Sequence, residues 1–299
     1  MKILVSGSTG LIGSALVECV RGKAHEVIRL ARSQGHTAER EVLWNPSTGT
    51  IEPGELEGLD AVVHLAGENI AAGRWTRSRK RAIRDSRILS TRLLSEALAK
   101  LERPPKVLVS TSAIGYYGNR GDELLNEDTA PGPDFLADVC KAWEEAAAPA
   151  AAKGIRVVHP RFGVVLSAAG GALKKMLAPF QMGVGGILGN GRQYMSWIEI
   201  GDAVEAVHHL LVTESLRGPV NVVSPRPVTN RTFTKTLGAV LRRPTVFPMP
   251  SPMVRLVFGE MGEGLLLASQ RVEPRKLIAS AYAFRYPDLE GALRHRLGK

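Results

Sequence analysis

Apolar positions fall along this chain in two alternating rhythms. Lys2 to Val5 is a short apolar run ending in Ser6-Gly7, and from Leu11 onward Ile12, Leu16, Cys19 and Val20 recur at helical spacing. The alternation then repeats. His25 to Arg32 reads as a second strand after a helix closed by Gly22, and Val42 to Trp44 as a third. Asp60 to Gly67 is a continuous apolar run, the mark of a strand buried on both faces. Ile83, Leu93, Leu94, Ala97, Leu98 and Leu101 give a helix from Ala82 to Leu101 that stops before Pro104-Pro105. A strand from Val107 to Ser112, a helix from Asp134 to Ala148 capped by Asp134, and a strand from Ile155 to Leu166 complete the series. Strands recurring with crossover helices predict an α/β fold, a doubly wound parallel sheet.

After Leu166 the alternation fades. Gly170-Gly171 and the cluster Gly183, Gly185, Gly186, Gly189 and Gly191 interrupt it, with Lys174, Lys175 and Arg192 nearby. No strand-loop-helix context frames a second phosphate cradle there, so the stretch reads as a mobile loop on the substrate side. Helices from Ala203 to Leu211 and Thr229 to Leu241, with a short strand from Val220 to Ser224, follow before the proline-punctuated Pro244 to Pro252. The expected organisation is a nucleotide-binding domain of residues 1–165 joined by 196–224, and a smaller C-terminal lobe of 166–195 and 225–299. There is no internal repeat, P-loop, His-Glu-x-x-His or Gly-x-Ser-x-Gly motif, which removes most NTPase, metalloprotease and esterase readings.

The glycines between the first strand and helix carry the first chemistry. Gly7 permits a tight turn, Gly10 lets a backbone approach without a side chain in the way, and Gly13 lets the helix pack close to the strand. Unpaired N–H groups and the positive end of the helix dipole then aim at an anion. The loop Gly7, Ser8, Thr9, Gly10, Leu11, Ile12 and Gly13 is therefore a dinucleotide pyrophosphate cradle of the Rossmann type, spaced Gly-x-x-Gly-x-x-Gly. The second strand ends Leu30-Ala31-Arg32-Ser33, with no acid to take the ribose hydroxyls of NAD. Arg32 can fork two N–H groups onto a 2′-phosphate, so the cofactor expected is NADP(H). The small Ala66-Gly67 end of the fourth strand would let the backbone pass close to the cofactor ribose. His64 inside that run is expected to be a satisfied core histidine. Ser110-Thr111-Ser112 and Tyr116-Tyr117 follow the strand at its carboxyl end, the edge where open parallel sheets bind ligands.

Composition narrows the setting. The 299 residues carry a net charge of +10 and 44% hydrophobic residues, as a globular chain does. Ser6, Ser8, Thr9 and the glycines break the first apolar run well before the length of a signal or membrane span, so no membrane partner is expected. Cys19 and Cys140 match no metal spacing and make no disulfide framework, which points to a reducing, cytoplasmic compartment and to no metal. Arg74, Arg77, Arg79, Lys80, Arg81, Arg84, Arg87 and Arg92 share their stretch with one acid, Asp85. Without zinc, helix-turn-helix or interleaved aromatics beyond Trp75, the cluster reads as a solvated helix face and argues against a nucleic-acid partner.

Together the glycine loop, His64-Leu-Ala-Gly67, Ser110-Thr-Ser112 and Trp197-Ile-Glu-Ile-Gly-Asp202 resemble an extended short-chain dehydrogenase/reductase of the sugar-nucleotide epimerase type. Leu65-Ala-Gly-Glu-Asn-Ile70, Ser86-Arg87, Trp143-Glu-Glu145, Gly189-Asn-Gly-Arg-Gln193 and the proline-rich tail are similar to its atypical "epimerase family protein" branch. Members of that branch carry a C-terminal domain of unknown function and bind NADP with no settled substrate. The resemblance implies that Ala31 and Arg32 meet the adenosine 2′-phosphate, and that Leu65 and Ala66, with Gly67 after them, line the adenine-ribose side. It also implies that Arg87 turns inward to the cofactor, that Val165 lies near the nicotinamide, and that Ser112 stands at the catalytic Ser/Thr position. The larger family takes its proton donor from a tyrosine activated by a lysine four residues on. Here the expected place reads Ala137-Asp-Val-Cys-Lys141: the lysine is kept and the tyrosine is alanine. Two functions stay open on this reading. One is an oxidoreductase or epimerase-like enzyme of unknown small-molecule substrate that uses Ser112 with Tyr116 or Tyr117, and Lys141. The other is a catalytically silent NADPH-binding sensor or scaffold. Either leaves a homodimer open.

Overall fold

The protein is described by a computed structural model that covers residues 1–33 and 40–299. β1 (Lys2–Ser6) leads into α1 (Leu11–Gly22), and β2 (Glu26–Ala31) runs parallel to β1 with Leu4 opposite Ile28. β3 (Glu41–Asn45) pairs parallel with β2, and the two-residue β4 (Thr50–Ile51) folds back antiparallel on it. β5 (Ala61–His64) lies on the other side of β1, and α2 (Arg77–Ala99) crosses to β6 (Val107–Ser110) and its in-register continuation β7 (Ser112–Ala113). Past β8 (Leu124–Leu125), α3 (Phe135–Glu145) and α4 (Ala148–Ala152) return the chain to β9 (Arg156–Phe162), which takes both β6 and β7 as neighbours. Then come β10 (Val164–Leu166), α5 (Gly171–Gln181), β11 (Tyr194–Met195), β12 (Trp197–Glu199), α6 (Ile200–Val212) and β13 (Gly218–Val222). β14 (Val228–Thr229), α7 (Asn230–Leu241), α8 (Ser251–Phe258), α9 (Glu260–Gly262), β15 (Arg271–Val272), α10 (Arg275–Ala279) and α11 (Leu289–Leu297) finish the chain.

The main sheet has the order β13-β9-β6-β5-β1-β2-β3-β4, parallel throughout except at β4. Alternation along each strand sends side chains to opposite faces. Ile3, Val5, Val63 and Val109 pack with Leu16, Val20, Val207 and Leu210 of α1 and α6. Leu4, Ile28, Val62 and Leu108 pack with Leu94 and Leu98 of α2 and with Ala147 and Ala150. Both faces of the sheet are thus covered, which is why these strands read as unbroken apolar runs.

Two expectations are corrected. The run from Ile155 to Leu166 is not one strand, because it breaks at Gly163. A Cβ there would lie 2.6 Å from the Ser196 carbonyl oxygen, so only glycine permits the crossing. Val164 N–H then donates to that oxygen at 2.9 Å, and β10 leaves the main sheet to pair with β12. The stretch after Leu166 is not a loop from end to end either. Leu173, Met176, Leu177 and Phe180 follow a helical period, and α5 forms between the glycines, packing on a third core with Trp197, Phe233, Leu237 and Leu293.

Asp202, in the first turn of α6, fastens the C-terminal segment to this frame. Its carboxylate accepts the Arg285 and Tyr286 N–H groups at 2.8 Å each, and its carbonyl accepts the Tyr282 hydroxyl at 2.7 Å. A second tie joins Arg296 of α11 to the fully buried Glu199. No helix among the described residues is long and apolar enough to cross a membrane.

Candidate dinucleotide and active site

In-register pairing of Ser6 with His64, and of His64 with Ser110, brings the carboxyl ends of β1, β5 and β6 to one edge, and the site is built there. Gly7 takes φ +66°, and a Cβ on it would lie 2.8 Å from the Leu65 carbonyl carbon. Its freedom serves both the turn and the close approach of the β5 end. A Cβ on Gly13 would lie 2.1 Å from the Gly7 carbonyl oxygen, so this glycine makes room for the turn itself and not for the strand, as the spacing had suggested. At Gly10 an added Cβ would meet nothing within 4 Å but that same oxygen, at 3.2 Å. The turn is locked by Gly10 N–H donating to Gly7 O at 3.0 Å, and among the described residues no side chain caps α1. The first-turn N–H groups of α1 are therefore left for an anion. Thr9 and Gly10 are exposed, Ser8 is buried, and Leu11 and Ile12 rest half-buried on the core.

Behind the turn, one hydrogen-bond chain fixes β5. Ser6 Oγ accepts Leu65 N–H at 3.2 Å and Ala66 N–H at 3.4 Å, and lies 2.6 Å from His64 Nδ1. His64 Nε2 lies 3.1 Å from Ser90 Oγ, whose proton goes to the Ser86 carbonyl at 2.6 Å. These partners assign the tautomer: Ser6 donates to Nδ1, and Nε2–H donates to Ser90. Full burial pushes His64 down to about 4, so it stays neutral, a satisfied core histidine that holds Ser6 where it accepts the Leu65 and Ala66 N–H groups.

Three arginines stand on the elements that border the cradle. Arg32 stands exposed just past the end of β2, next to the half-buried Ala31. Arg29, inside β2, reaches the loop, with Nη1 3.5 Å from Ser8 Oγ. Sequence reasoning did not single it out. Arg87 turns inward from α2, donating to Ile83 O at 2.9 Å and Glu68 O at 3.0 Å, and stacks on the Trp143 ring at 5.0 Å. A Cβ on the exposed Gly67 would lie 3.5 Å from its Cζ. No carboxylate pairs with Arg87 among the described residues, and burial lowers its basicity. A half-buried guanidinium held by carbonyls and a ring, with no carboxylate partner among the described residues, is a site for an anion or for hydroxyl acceptors. Arg77, Arg81 and Arg84 on the same helix point to solvent, as the bland reading of the cluster expects, and Arg79 pairs with Glu68 at 2.8 Å.

Two further elements border the cradle. Leu11 meets the start of α5, where a Cβ on Gly171 would lie 3.0 Å from Leu11 Cδ2 and 3.8 Å from the Val165 carbonyl oxygen. Val165 is half-buried on the same core as Leu11 and Ile12. Lys175 of α5 donates to Ala71 O at 2.6 Å and so joins α5 to the loop after β5.

Around Ser112 lies a buried network that the sequence did not reveal. Ser112 Oγ donates to Glu144 Oε1 at 2.6 Å. Arg161 donates to both oxygens of Glu144, each at 2.8 Å, and to the Tyr117 hydroxyl at 3.0 Å, and Tyr117 donates to Asn221 Oδ1 at 2.7 Å. Burial alone would lower the Arg161 guanidinium, but the hydrogen bonds and charge of Glu144 outweigh it and hold it above its ordinary value. Burial pushes the Tyr117 phenol up to about 12, with Arg161 opposing. Tyr117 is fully buried and Arg161 is 2% exposed, so both belong to the frame. Tyr116 differs. It is half-buried, the Arg161 guanidinium lies 3.5 Å over its ring, and its hydroxyl bonds no protein group among the described residues. Ala137 is buried and Lys141 is exposed on α3, so Lys141 stands apart from the Ser112 network: the α3 groups that face it are Glu144 and Cys140.

A model described as the NAD dependent epimerase/dehydratase family matches residues 3–223. The chain belongs to this family. A second model, a domain of unknown function (DUF1731), matches residues 249–295. The chain is 44% identical over 291 residues to a Mycobacterium bovis epimerase family protein, covering 97% of this chain and 96% of that one. It is 37% identical over 297 residues to the human epimerase family protein SDR39U1, covering 98% and 99%. A crystal structure of human SDR39U1 (isoform 2) with NADPH matches the fold with a TM-score of 0.90 at 35% identity, over 100% of both chains. For a member of the epimerase/dehydratase family, the departure at Ala137 is thus a change inside an otherwise intact frame. Several of the motifs quoted for the family serve that frame: Trp143 Nε1 donates to Thr91 Oγ1 at 2.9 Å, and Gln193 Nε2 joins Leu188 O and Leu266 O at 3.0 and 3.1 Å.

Proposed function

We propose that the protein binds NADP(H) and is an oxidoreductase or epimerase-like enzyme acting on a small molecule in the cytoplasm. The observation that carries the reading is the uncapped start of α1 behind a glycine turn too tight for side chains, with Arg29 reaching Ser8 of the loop, Arg32 exposed at the end of β2 and Arg87 turned toward Gly67 and Glu68. Support also comes from the human relative, solved with NADPH. The residues present fit the cofactor. Gly7 to Gly13 would hold the pyrophosphate, Ala31 and Arg32 the 2′-phosphate, Leu65, Ala66 and Gly67 the ribose side, Arg87 the hydroxyl and anionic groups beside it, and Val165 the nicotinamide end. When bound, the cofactor supplies or accepts a hydride.

This chain's own task is then to move one proton at the substrate oxygen. Ser112 has committed its proton to Glu144, so its oxygen is left to accept a hydrogen bond from the substrate hydroxyl and orient it. Tyr116, whose hydroxyl bonds no protein group among the described residues, is the group we assign that proton: its phenol gives it to the substrate oxygen in reduction and takes it back in oxidation. The test is cofactor consumption over a broad panel of carbonyl and nucleotide-sugar compounds, repeated with Tyr116→Phe. A turnover that falls about a hundredfold, the usual scale of general acid catalysis, at unchanged NADPH affinity supports the assignment. Unchanged turnover refutes it. Buried Ala137 and exposed Lys141 favour a second reading, an NADPH-binding sensor without turnover. A panel that yields no substrate while NADPH binds tightly would select it.

A further inference from the structure

Beyond the site, the charge map of the C-terminal half has a feature that the proposed chemistry does not use. No acidic residue occurs from 146 to 198 or from 215 to 259, stretches that carry six and seven Lys or Arg. Arg161 among these is buried and paired, but other side chains of the two stretches stand in water where a globular protein ordinarily covers them. Met182 is 70% exposed, Val246 65%, Phe247 58% and Leu256 76%. They lie on adjoining segments. A Cβ on Gly183 would lie 3.7 Å from Pro244, Met249 N–H donates to Ile187 O at 2.9 Å, and α8 begins two residues after Met249.

α8 is apolar on two sides. Val254 faces the protein and is fully buried, while Met253, Leu256 and Val257, spaced three and four apart, face solvent. The cations at its borders are Arg242 and Arg243 just before Pro244, Arg255 on the helix, and Arg74, whose Nε would lie 3.2 Å from a Cβ on Gly259. The acids facing this region from α9 and the turn after it, Glu260 and Glu263, are each already paired, with Lys80 at 2.6 Å and Arg255 at 3.1 Å.

We propose that this face docks on an anionic lipid surface, with Phe247 and Leu256 entering the headgroup boundary and the arginines meeting lipid phosphates and carboxylates. With both of its acids already paired, a face that keeps Arg74, Arg242 and Arg243 in excess repels its own copy across a twofold axis, which argues against self-association. The apolar side chains project from separate turns and one short helix. A bilayer boundary accepts such projections without a complementary pocket, as in-plane amphipathic helices show. No spanning helix is needed for this.

The test is co-sedimentation of the full-length protein with phosphatidylcholine vesicles, with and without roughly a third phosphatidylserine. Binding to the anionic vesicles should exceed that to neutral ones by tenfold or more and should weaken as salt shortens the screening length. Phe247→Ser and Leu256→Ser should each lower it about tenfold with the melting temperature unchanged, since both side chains are already in water. Arg242→Gln with Arg243→Gln should lower it on the order of tenfold, each cation near an anionic leaflet being worth a few-fold. Absence of binding, equal binding to both vesicles, or indifference to the two serine variants would overturn the proposal. So would a concentration-dependent dimer, or capture of an acidic protein, that the serine variants abolish in the absence of lipid binding.

Discussion

Glu144→Gln removes one negative charge from a place where it has no substitute. The Glu144 side chain is 13% exposed and that of Arg161 is 2%, and the carboxylate accepts three hydrogen bonds of 2.6 to 2.8 Å from Ser112 and Arg161. The amide keeps the shape but leaves a buried guanidinium uncompensated, which costs about 3–5 kcal/mol. For a chain of this size that lowers Tm by on the order of 10 °C. Arg161→Met alone should cost a similar amount, because the carboxylate is then stranded. The double variant Glu144→Leu with Arg161→Met removes both charges and fills the space, so it should be more stable than either Glu144→Gln or Arg161→Met. Urea unfolding of the parent, the two single variants and the double variant, at one pH and salt, gives the comparison. Additive losses, with the double variant the least stable of the four, would show that the pair is not coupled as its geometry requires.

His64 predicts an acid slope. Its folded value of about 4 lies below the ordinary 6.5, so the unfolded chain binds the proton first and stability falls as pH drops from 6.5 toward 4, by up to about 3 kcal/mol. Urea midpoints against pH for the parent and His64→Gln should show a shallower slope in the variant; parallel slopes would assign the acid sensitivity to other groups. Gly13→Ala, whose Cβ would sit 2.1 Å from Gly7 O, should lose roughly 1–3 kcal/mol of stability and at least a hundredfold in dinucleotide affinity. Gly10→Ala, with one 3.2 Å contact to make, should keep its melting temperature and lose affinity alone, and a Gly13→Ala protein that binds as tightly as the parent would refute this account of the cradle. Tyr117→Phe leaves Asn221 and Arg161 each short of a partner and should cost about 1–3 kcal/mol in thermal unfolding, whereas Tyr116→Phe should leave stability unchanged.

The parallel sheet was legible because strands covered on both faces must be apolar throughout, and the crossover helices between them keep a 3.6-residue period. The helix cap at Asp134 was legible for a local reason, since it accepts the N–H three residues on, of Ala137; Thr229, read as the first residue of its helix, is instead the cap of α7 and accepts the Thr232 N–H. The break at Gly163 was not legible, because it depends on the Ser196 carbonyl 33 positions away, which no local pattern contains. In the cradle, the glycine loop and the lack of an acid after Ala31 were visible as a motif. Arg29 was not singled out, and Glu144 was visible only as part of Trp143-Glu-Glu145. Their use is set by which strand ends become neighbours. Lys141 shows the limit of carrying a motif over. Its spacing from Ala137 is kept, yet with the tyrosine gone the helix turns Ala137, Cys140 and Trp143 inward and leaves the lysine in water.

Titration calorimetry of NADPH and NADH against the parent protein tests the central reading most directly. The cradle and its arginines predict one site that takes NADPH at least tenfold tighter than NADH, with the preference lost in Arg32→Ala, one charge-assisted phosphate contact being worth roughly 1.5–3 kcal/mol. Equal affinity of the parent for both dinucleotides, or no heat from either, would contradict it.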